Sequence, residues 1–490
     1  MSDRGEKLDK ISKRRGFFWP SAEIYGGVSG FYDYGHLGTR VKRKLEDLWR
    51  SYFLKNPNFQ EIETSTILPE EVLKASGHVD SFTDPITKCK QCGATHRADE
   101  ILEEELDESF EGMSEEKLTE IIKEHGIKCS TCGGDLEEVG TINLMFPVEI
   151  GPHSDKKGYL RPETAQGSYI NFLREFRCMR KKMPMGLATV GKSYRNEISP
   201  RKGVYRTREF TQAELQIFLK EEWMDEHDKF DEVEDYDLRL LPVGEDEVRE
   251  KRAEELDLPE RYVYWMARIQ KFFLEQLGLP RDKFRFRELS EEERSFYNRY
   301  HWDIELDVEA FGGFGEVAGI HYRTDHDLKA HGEDSDKDQR IHYRGEKFVP
   351  HVLELSFGID RCFYSLLELN LEDEDRTFLS LPREVAPYEI AVFPLMKKKG
   401  LPEKAQKVFG LLQDKFDVFY DESGSIGKRY ARQDEIGTKF CLTIDFDTLE
   451  EDTLTIRDRD STDQIRVSVE ELEDCLDEML NRGKSFSEMK

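Results

Sequence analysis

Between His36 and Leu54, the apolar positions Leu37, Val41, Leu45, Leu48 and Tyr52 recur at helical spacing and predict a long amphipathic helix. A strand ending at Ile67-Leu68-Pro69 follows. Two later segments switch to the two-residue period of a strand. From Gly191 to Phe218 the pattern predicts a hairpin whose first strand places Ser193, Arg195 and Glu197 on one face. Ile198 to Gly203 form its turn, with Pro200 and Gly203 as breakers. On the return strand Arg206, Arg208, Phe210, Gln212, Glu214 and Gln216 share a face, leaving Ala213, Leu215 and Ile217 for the layer behind. Near position 350, Val352, Glu354 and Ser356 alternate with Leu353, Leu355 and Phe357, and Gly358 then turns the chain into a helix carrying Arg361. From Tyr388 onward, strands at Ile390 to Phe393, Val418 to Tyr420 and Phe440 to Ile444 alternate with helices at Pro402 to Phe416 and Ile426 to Ile436, which is the pattern of an α/β domain.

The hairpin carries charge where a purely structural sheet would be apolar. Arginines beside an aromatic ring and a carboxylate suit a nucleotide, with cations for phosphate, a ring for the base and an anion for an exocyclic amine. Taken alone, the same residues also describe a solvated, charged hairpin.

Four of the eight cysteines form two Cys-x-x-Cys-Gly knuckles, Cys89/Cys92 and Cys129/Cys132, separated by 36 residues that include an acidic helical stretch from Glu100 to Glu124. Four sulfurs so arranged suit a structural zinc; two disulfides or unligated thiols are the alternatives. Gly313-Phe-Gly315-Glu-Val-Ala318 fits a dinucleotide fingerprint, but extended chain rather than a helix follows it, so the match is read as accidental. His321, His326 and His331 fit no common metal-ligand spacing.

At 490 residues the chain is long enough for two or three domains, and 31 Phe and 19 Tyr supply core material. No apolar run is long enough to span a membrane, and the N-terminus lacks a secretory core, so a cytoplasmic protein is expected. The net charge of −29 argues against a basic nucleic-acid footprint over the whole surface. The acid is concentrated in Asp99–Glu124, Glu221–Glu255 and Asp373–Asp375, whereas Arg174–Lys182 and Lys192–Arg208 are locally basic. A local basic patch on an acidic, salt-adapted body reconciles the two.

Tyr194-Arg-Asn-Glu197, a loop, and Arg206-Thr-Arg-Glu-Phe210 resemble motif 2 of the class II aminoacyl-tRNA synthetases. The segment from Phe348 to Glu368 resembles motif 3, and the helix from His36 with its strand to Pro69 resembles motif 1. The segments Arg14–Gly38, Ser76–Pro85, His96–Leu102, Arg161–Gly167, Phe314–His331 and Ser423–Phe440 narrow the resemblance to the glycyl-tRNA synthetases of the single-polypeptide, homodimeric type.

This resemblance implies an α+β class II synthetase catalytic domain, an antiparallel sheet flanked by helices, over residues 1–85 and 141–380. It further implies a zinc-ribbon-like insertion at 86–140, an acidic helical insertion at 221–300 and a C-terminal α/β anticodon-binding domain at 386–490. The implied reaction forms glycyl-adenylate from glycine and ATP, then transfers glycine to the 3′ end of tRNA(Gly). By the same resemblance Arg195 holds the α-phosphate, Glu197 takes the adenine amine and Phe210 stacks on the base. Arg206 and Arg361 hold the terminal phosphate. Asn196, Tyr205, Arg208, Val317 and Gly358 complete the ATP site, and Glu316 and Glu354 are the Mg²⁺ carboxylates. Glycine would meet Arg97 through its carboxylate and Glu163, Glu214 or Glu354 through its ammonium, with Phe210, Gln212 and Ser356 closing the pocket. Arg195, Glu316, Glu354 and Arg361 are the expected catalytic set. Two other readings stay open at this point: a sister class II specificity, and a non-catalytic nucleic-acid-binding paralogue.

Overall fold

The structure, a computed structural model, describes residues 3–489 apart from 107, 109, 111, 153–155 and 199–202. The tip of the predicted hairpin turn lies outside the described residues.

A nine-stranded sheet organises residues up to about 370. Its five central strands are β1 (Met185–Tyr194), β2 (Glu209–Leu219), β3 (Tyr300–Val308), β4 (Gly313–Thr324) and β5 (His351–Gly358), arranged in space as β3-β4-β5-β2-β1 and antiparallel throughout. Phe59–Glu61 pairs parallel on the β1 edge. On the opposite edge, Phe284–Glu288 pairs with β3, followed by Asp237–Leu241 and Arg249–Arg252.

Alternation along these strands separates two faces. Ala213, Leu215 and Ile217, Ile304 and Leu306, Ala318 and Ile320, and Leu353, Leu355 and Phe357 all point into the main core. Helices cover this face, among them Ile359–Leu369 and the two that follow. His36–Phe53 buries Leu37, Val41, Leu45, Trp49, Tyr52 and Phe53. Trp49 takes the buried place that the sequence pattern assigned to Leu48, which is only partly covered. Trp49 and Phe53 meet Phe357 at ring separations of 5.9 and 5.1 Å. Glu260–Lys271 lies beside it, and Tyr262 donates its hydroxyl to the Ile320 carbonyl at 2.7 Å.

The segment 221–300 differs from the helical insertion expected of it. It contains that one long helix, but it also supplies the three outer strands just described. Their short runs, such as Phe284-Arg-Phe-Arg-Glu, bury Phe284 and Phe286 while exposing more of the alternate residues, and this strand period was masked by the surrounding acid.

Residues 83–143 form a small module in which Thr83–Lys88 pairs antiparallel with Thr95–Arg97 and Gly140–Asn143. Helices Ala98–Leu106 and Glu115–His125 close it over Leu102, Leu118 and Ile122. The C-terminal sheet centres on Ile390–Pro394, parallel to Val418–Tyr420 and Phe440–Ile444. Two antiparallel strands, Thr453–Asp458 and Gln464–Ser468, extend it. Arg459 ties this unit to the segment before it by donating to the Leu381 carbonyl at 3.0 Å, and also donates to the Gly437 carbonyl within the unit at 2.9 Å.

Candidate active site

The second face of the sheet is polar and floors a cleft of about 370 Å³. Cross-strand register arranges its side chains in two rows. One row runs Asp303, Gly319, Ser356, Glu214 across β3, β4, β5 and β2. The next runs His301, His321, Glu354, Gln216. Residues distant in sequence are therefore neighbours because each occupies the same level of adjacent strands.

Three carboxylates meet at this floor. Glu214 accepts hydroxyl hydrogen bonds from Thr164 at 2.6 Å and Ser356 at 2.8 Å. Burial, together with the neighbouring Glu354 and Glu163, pushes its carboxyl up to about 8. Glu354 accepts from Gln216 Nε2 at 2.7 Å, Tyr169 Oη at 3.2 Å and Arg323 Nη1 at 3.3 Å, and His321 Nδ1 lies 2.7 Å from it without being aligned as a hydrogen bond. Burial opposes its charge, but Arg323 and His321 outweigh that and hold it below the usual carboxylate range. For Glu163 burial is likewise outweighed, by His78 and Arg323; Gln166 also donates to it at 2.8 Å. Arg323 is itself buried and forks onto Asp327 with two bonds of 2.9 Å.

The loop carrying Glu163 and Thr164 is fastened by Arg161, which donates to the Lys192 carbonyl at 2.7 Å and to Thr64 Oγ1 at 2.9 Å. Gly191 makes room for this guanidinium, since a Cβ there would stand 2.5 Å from Arg161 Nη2.

Guanidinium groups line the upper cleft. Arg195 lies 5.4 Å from the Phe210 ring and donates to the Pro162 carbonyl at 3.2 Å. Arg361 bonds the Glu316 carboxylate at 2.8 Å, donates to the Tyr205 carbonyl at 3.1 Å and lies 4.6 Å from the Tyr205 ring. Arg206 pairs with Glu197 at 3.2 Å and with Glu100, which the four-cysteine module contributes. The helix bearing Arg361 is anchored by Asp360, whose carboxylate accepts from the Thr211 N–H and from Lys42 Nζ, each at 2.5 Å. Lys42 comes from the His36–Phe53 helix, so that helix braces the cleft as well as the core.

Most residues singled out from the sequence line this one cleft: Glu163, Arg195, Glu197, Tyr205, Arg206, Phe210, Gln212, Glu214, Glu316, Val317, Glu354, Ser356, Gly358 and Arg361. Three do not. Arg97 is paired with Asp84 at 3.3 Å, with Asp99 and with Glu100 at 3.7 Å inside the cysteine module. Arg208 turns away to the Glu197 and Ser29 carbonyls at 3.0 and 2.8 Å. The Asn196 N–H donates to the Leu144 carbonyl at 2.6 Å. For Asn196 and Arg208 the physical reason is that β1 ends at Tyr194 and β2 begins at Glu209, so strand alternation does not govern Arg195 to Arg208.

Sequence reasoning missed His301, Asp303, His321 and Arg323, all lining the cleft. The alternation of Trp302, Ile304 and Leu306 with His301, Asp303 and Glu305 was the available signal. The Gly313–Ala318 fingerprint lies within strand β4, as the sequence reading required for its rejection.

Cys89, Cys92, Cys129 and Cys132 hold their sulfurs within 4.8 Å of one another as free thiols. Cys89 and Cys132 are 3.5 Å apart, and Cys92 and Cys129 3.7 Å. Four Zn–S bonds of about 2.3 Å give tetrahedral edges of about 3.8 Å, so the set fits zinc. His96 Nε2, 3.2 Å from Cys129 Sγ, supports one sulfur from behind.

Residues 146–370 match the family model of the tRNA synthetase class II core domain (G, H, P, S and T), and residues 389–479 match that of the anticodon binding domain. The fold and cleft are thus those of a class II tRNA synthetase. The chain is 42% identical to the glycine--tRNA ligase of Thermococcus sibiricus, over 98% of this chain and 99% of the relative. It is equally similar to that of Pyrococcus furiosus, and 39% identical to that of Methanocaldococcus jannaschii over 97% of this chain. The chain belongs to the glycine–tRNA ligase family.

Proposed function

We propose that this chain activates glycine with ATP and transfers it to the 3′ end of tRNA(Gly), releasing AMP and diphosphate. The observation that carries this reading is the floor of Glu163, Glu214 and Glu354 beneath Arg195 and Arg361. Glycine has no side chain to grip, so its recognition must come from carboxylates around the ammonium and from exclusion of anything larger. Ser356, held on Glu214, narrows the space beside the α-carbon.

A glycine carboxylate oxygen attacks the α-phosphorus of ATP, and diphosphate leaves. The 3′-hydroxyl of the tRNA then attacks the acyl carbon, and AMP leaves. The substrates supply both nucleophiles, so the protein contributes position and charge. Arg195 faces the α-phosphate and, with Arg97 occupied elsewhere, also the glycine carboxylate. Phe210 stacks on adenine, and Arg206 and Arg361 exchange Glu100 and Glu316 for polyphosphate oxygens. Glu316 fits a magnesium ion at the phosphates, where the ion would neutralise charge. Glu354 does not fit that role, because both its oxygens are already engaged. Zinc in the cysteine module is structural, and the C-terminal domain, matched to the anticodon-binding family, reads the tRNA. The active form is a homodimer in the cytoplasm; among the described residues no helix is long and apolar enough to cross a membrane.

The test is ATP–diphosphate exchange with each of the twenty amino acids in the absence of tRNA. Exchange with glycine alone supports the reading. Exchange with a different amino acid moves the chain to a sister specificity, and none at any salt concentration leaves the non-catalytic paralogue.

A further inference from the structure

Two histidines face each other across the cleft floor in a way the reaction above does not use. His301 and His321 are register partners on β3 and β4, with ring centres 4.2 Å apart and planes at 75°. Each is tied to a carboxylate on its far side. His301 Nε2 is 3.1 Å from Asp303 Oδ1, and His321 Nδ1 is 2.7 Å from Glu354 Oε1.

The His321 ring folds back along its own strand over Gly319. A Cβ at Gly319 would stand 2.6 Å from Nε2 and 2.7 Å from Cε1. Glycine at 319 therefore leaves the space that the Nε2 edge occupies. Gly319 sits in the row between Asp303 and Ser356, so this edge is presented beside the Ser356–Glu214 pair. Burial and the neighbouring His301 keep the imidazole from charging, against the pull of Glu354. His321 Nδ1 lies 2.7 Å from Glu354 Oε1 without being aligned as a hydrogen bond, and of the two neutral tautomers the one with its hydrogen on Nδ1 avoids setting a lone pair against the carboxylate, which leaves the lone pair on Nε2.

We infer that His321 is an amino-acid-binding residue whose Nε2 accepts one N–H of the substrate ammonium, with Glu354 fixing the ring and His301 backing it. The inference rests on the glycine-activating reading and adds to it a fourth side chain at the amino group. The other acceptors are already shared: Glu214 with two hydroxyls, Glu354 with four partners, Glu163 with Gln166.

The test compares His321→Ala and His321→Asn with wild type in glycine-dependent ATP–diphosphate exchange. Asn returns a donor where Nδ1–H stood and so preserves support of Glu354, but it has no acceptor at the Nε2 position. Both variants should raise KM for glycine about tenfold, the loss of one hydrogen bond to a charged group, with KM for ATP unchanged. Wild-type KM for glycine in His321→Asn would show that the ring only supports Glu354 and would overturn the inference. So would KM for ATP and glycine rising together. If the wild type itself shows no glycine exchange, the activity reading has failed rather than the assignment of His321.

Discussion

Ser356 Oγ donates to Glu214 Oε1 at 2.8 Å, joining β5 to β2 at the floor of the cleft. Thr164 occupies the other oxygen, so Glu214 is fixed in place while its charge is opposed by burial and by Glu354 and Glu163. The folded protein therefore keeps this proton from pH 4.5 up to about 8, a window in which the unfolded chain has lost it. Stability from this group is greatest below the unfolded pKa and falls as pH rises through the window. Glu214→Gln removes that slope. Unfolding free energies measured in urea should favour the variant increasingly toward pH 8; parallel pH profiles for the two proteins would contradict the assignment.

Ligand binding should show the reverse sign. A substrate ammonium beside Glu214 favours the ionised carboxylate, so glycine binding releases a proton and KM for glycine falls as pH rises toward about 8. Titration calorimetry in two buffers of different ionisation enthalpy measures that proton directly. An observed heat independent of buffer at pH 7 would mean that Glu214 is already ionised.

Arg361 places its fork on Glu316 and on the Tyr205 carbonyl, with its plane near the Tyr205 ring. A lysine cannot reproduce that bidentate, stacked geometry. Arg361→Lys and Arg361→Ala should both lower kcat/KM for ATP by about a hundredfold or more, as loss of a preorganised charge does in the transition state. Glycine binding, read by calorimetry without ATP, should stay at the wild-type value.

The sheet geometry explains how far the sequence could be read. Strand alternation put Glu214 on one face of its strand and Glu354 with Ser356 on one face of theirs, because β2 and β5 are regular and their opposite faces differ sharply in polarity; register between the strands then sets them side by side. The same rule failed for Arg208, which lies in the loop between β1 and β2 where no period holds. Arg97 is held by Asp99, two residues on in the chain, and by Asp84, which the strand pairing of the cysteine module brings beside it; Asp84 is the partner that local sequence could not show. The His301–His321 pair was illegible for a different reason: alternation with Trp302, Ile304 and Leu306 puts His301 on the polar face, but only register between two strands sets it opposite His321.

Arg323 carries the heaviest structural burden of the cleft. It is buried, forks onto Asp327 and reaches Glu354, so its removal leaves two buried carboxylates without their cation. Breaking a buried pair this way costs about 3–5 kcal/mol. Arg323→Met should therefore lose stability of that order in denaturant unfolding. The double variant Arg323→Met/Asp327→Leu should recover part of it, because one stranded charge is gone, while glycine exchange stays depressed through Glu354. Full stability in the single variant would mean that Asp327 and Glu354 reach solvent or take up protons without cost.

The cysteine module gives a prediction with a chemical readout. Purified protein should contain about one zinc per chain, bound by four thiolates. Cys92→Ser should lower the metal content and the unfolding temperature together, since the sulfurs tie two knuckles that otherwise rest on short strand pairings and a small apolar core. The loss should extend to the nucleotide cleft: Glu100, on the helix that follows His96 and Arg97, pairs with Arg206. KM for ATP should then fall in Cys92→Ser, because Arg206 no longer has to leave Glu100, while KM for glycine moves less, because none of the residues holding Glu163, Glu214 or Glu354 belongs to the module. Equal changes in both constants would instead indicate global unfolding, which circular dichroism at the assay temperature would register.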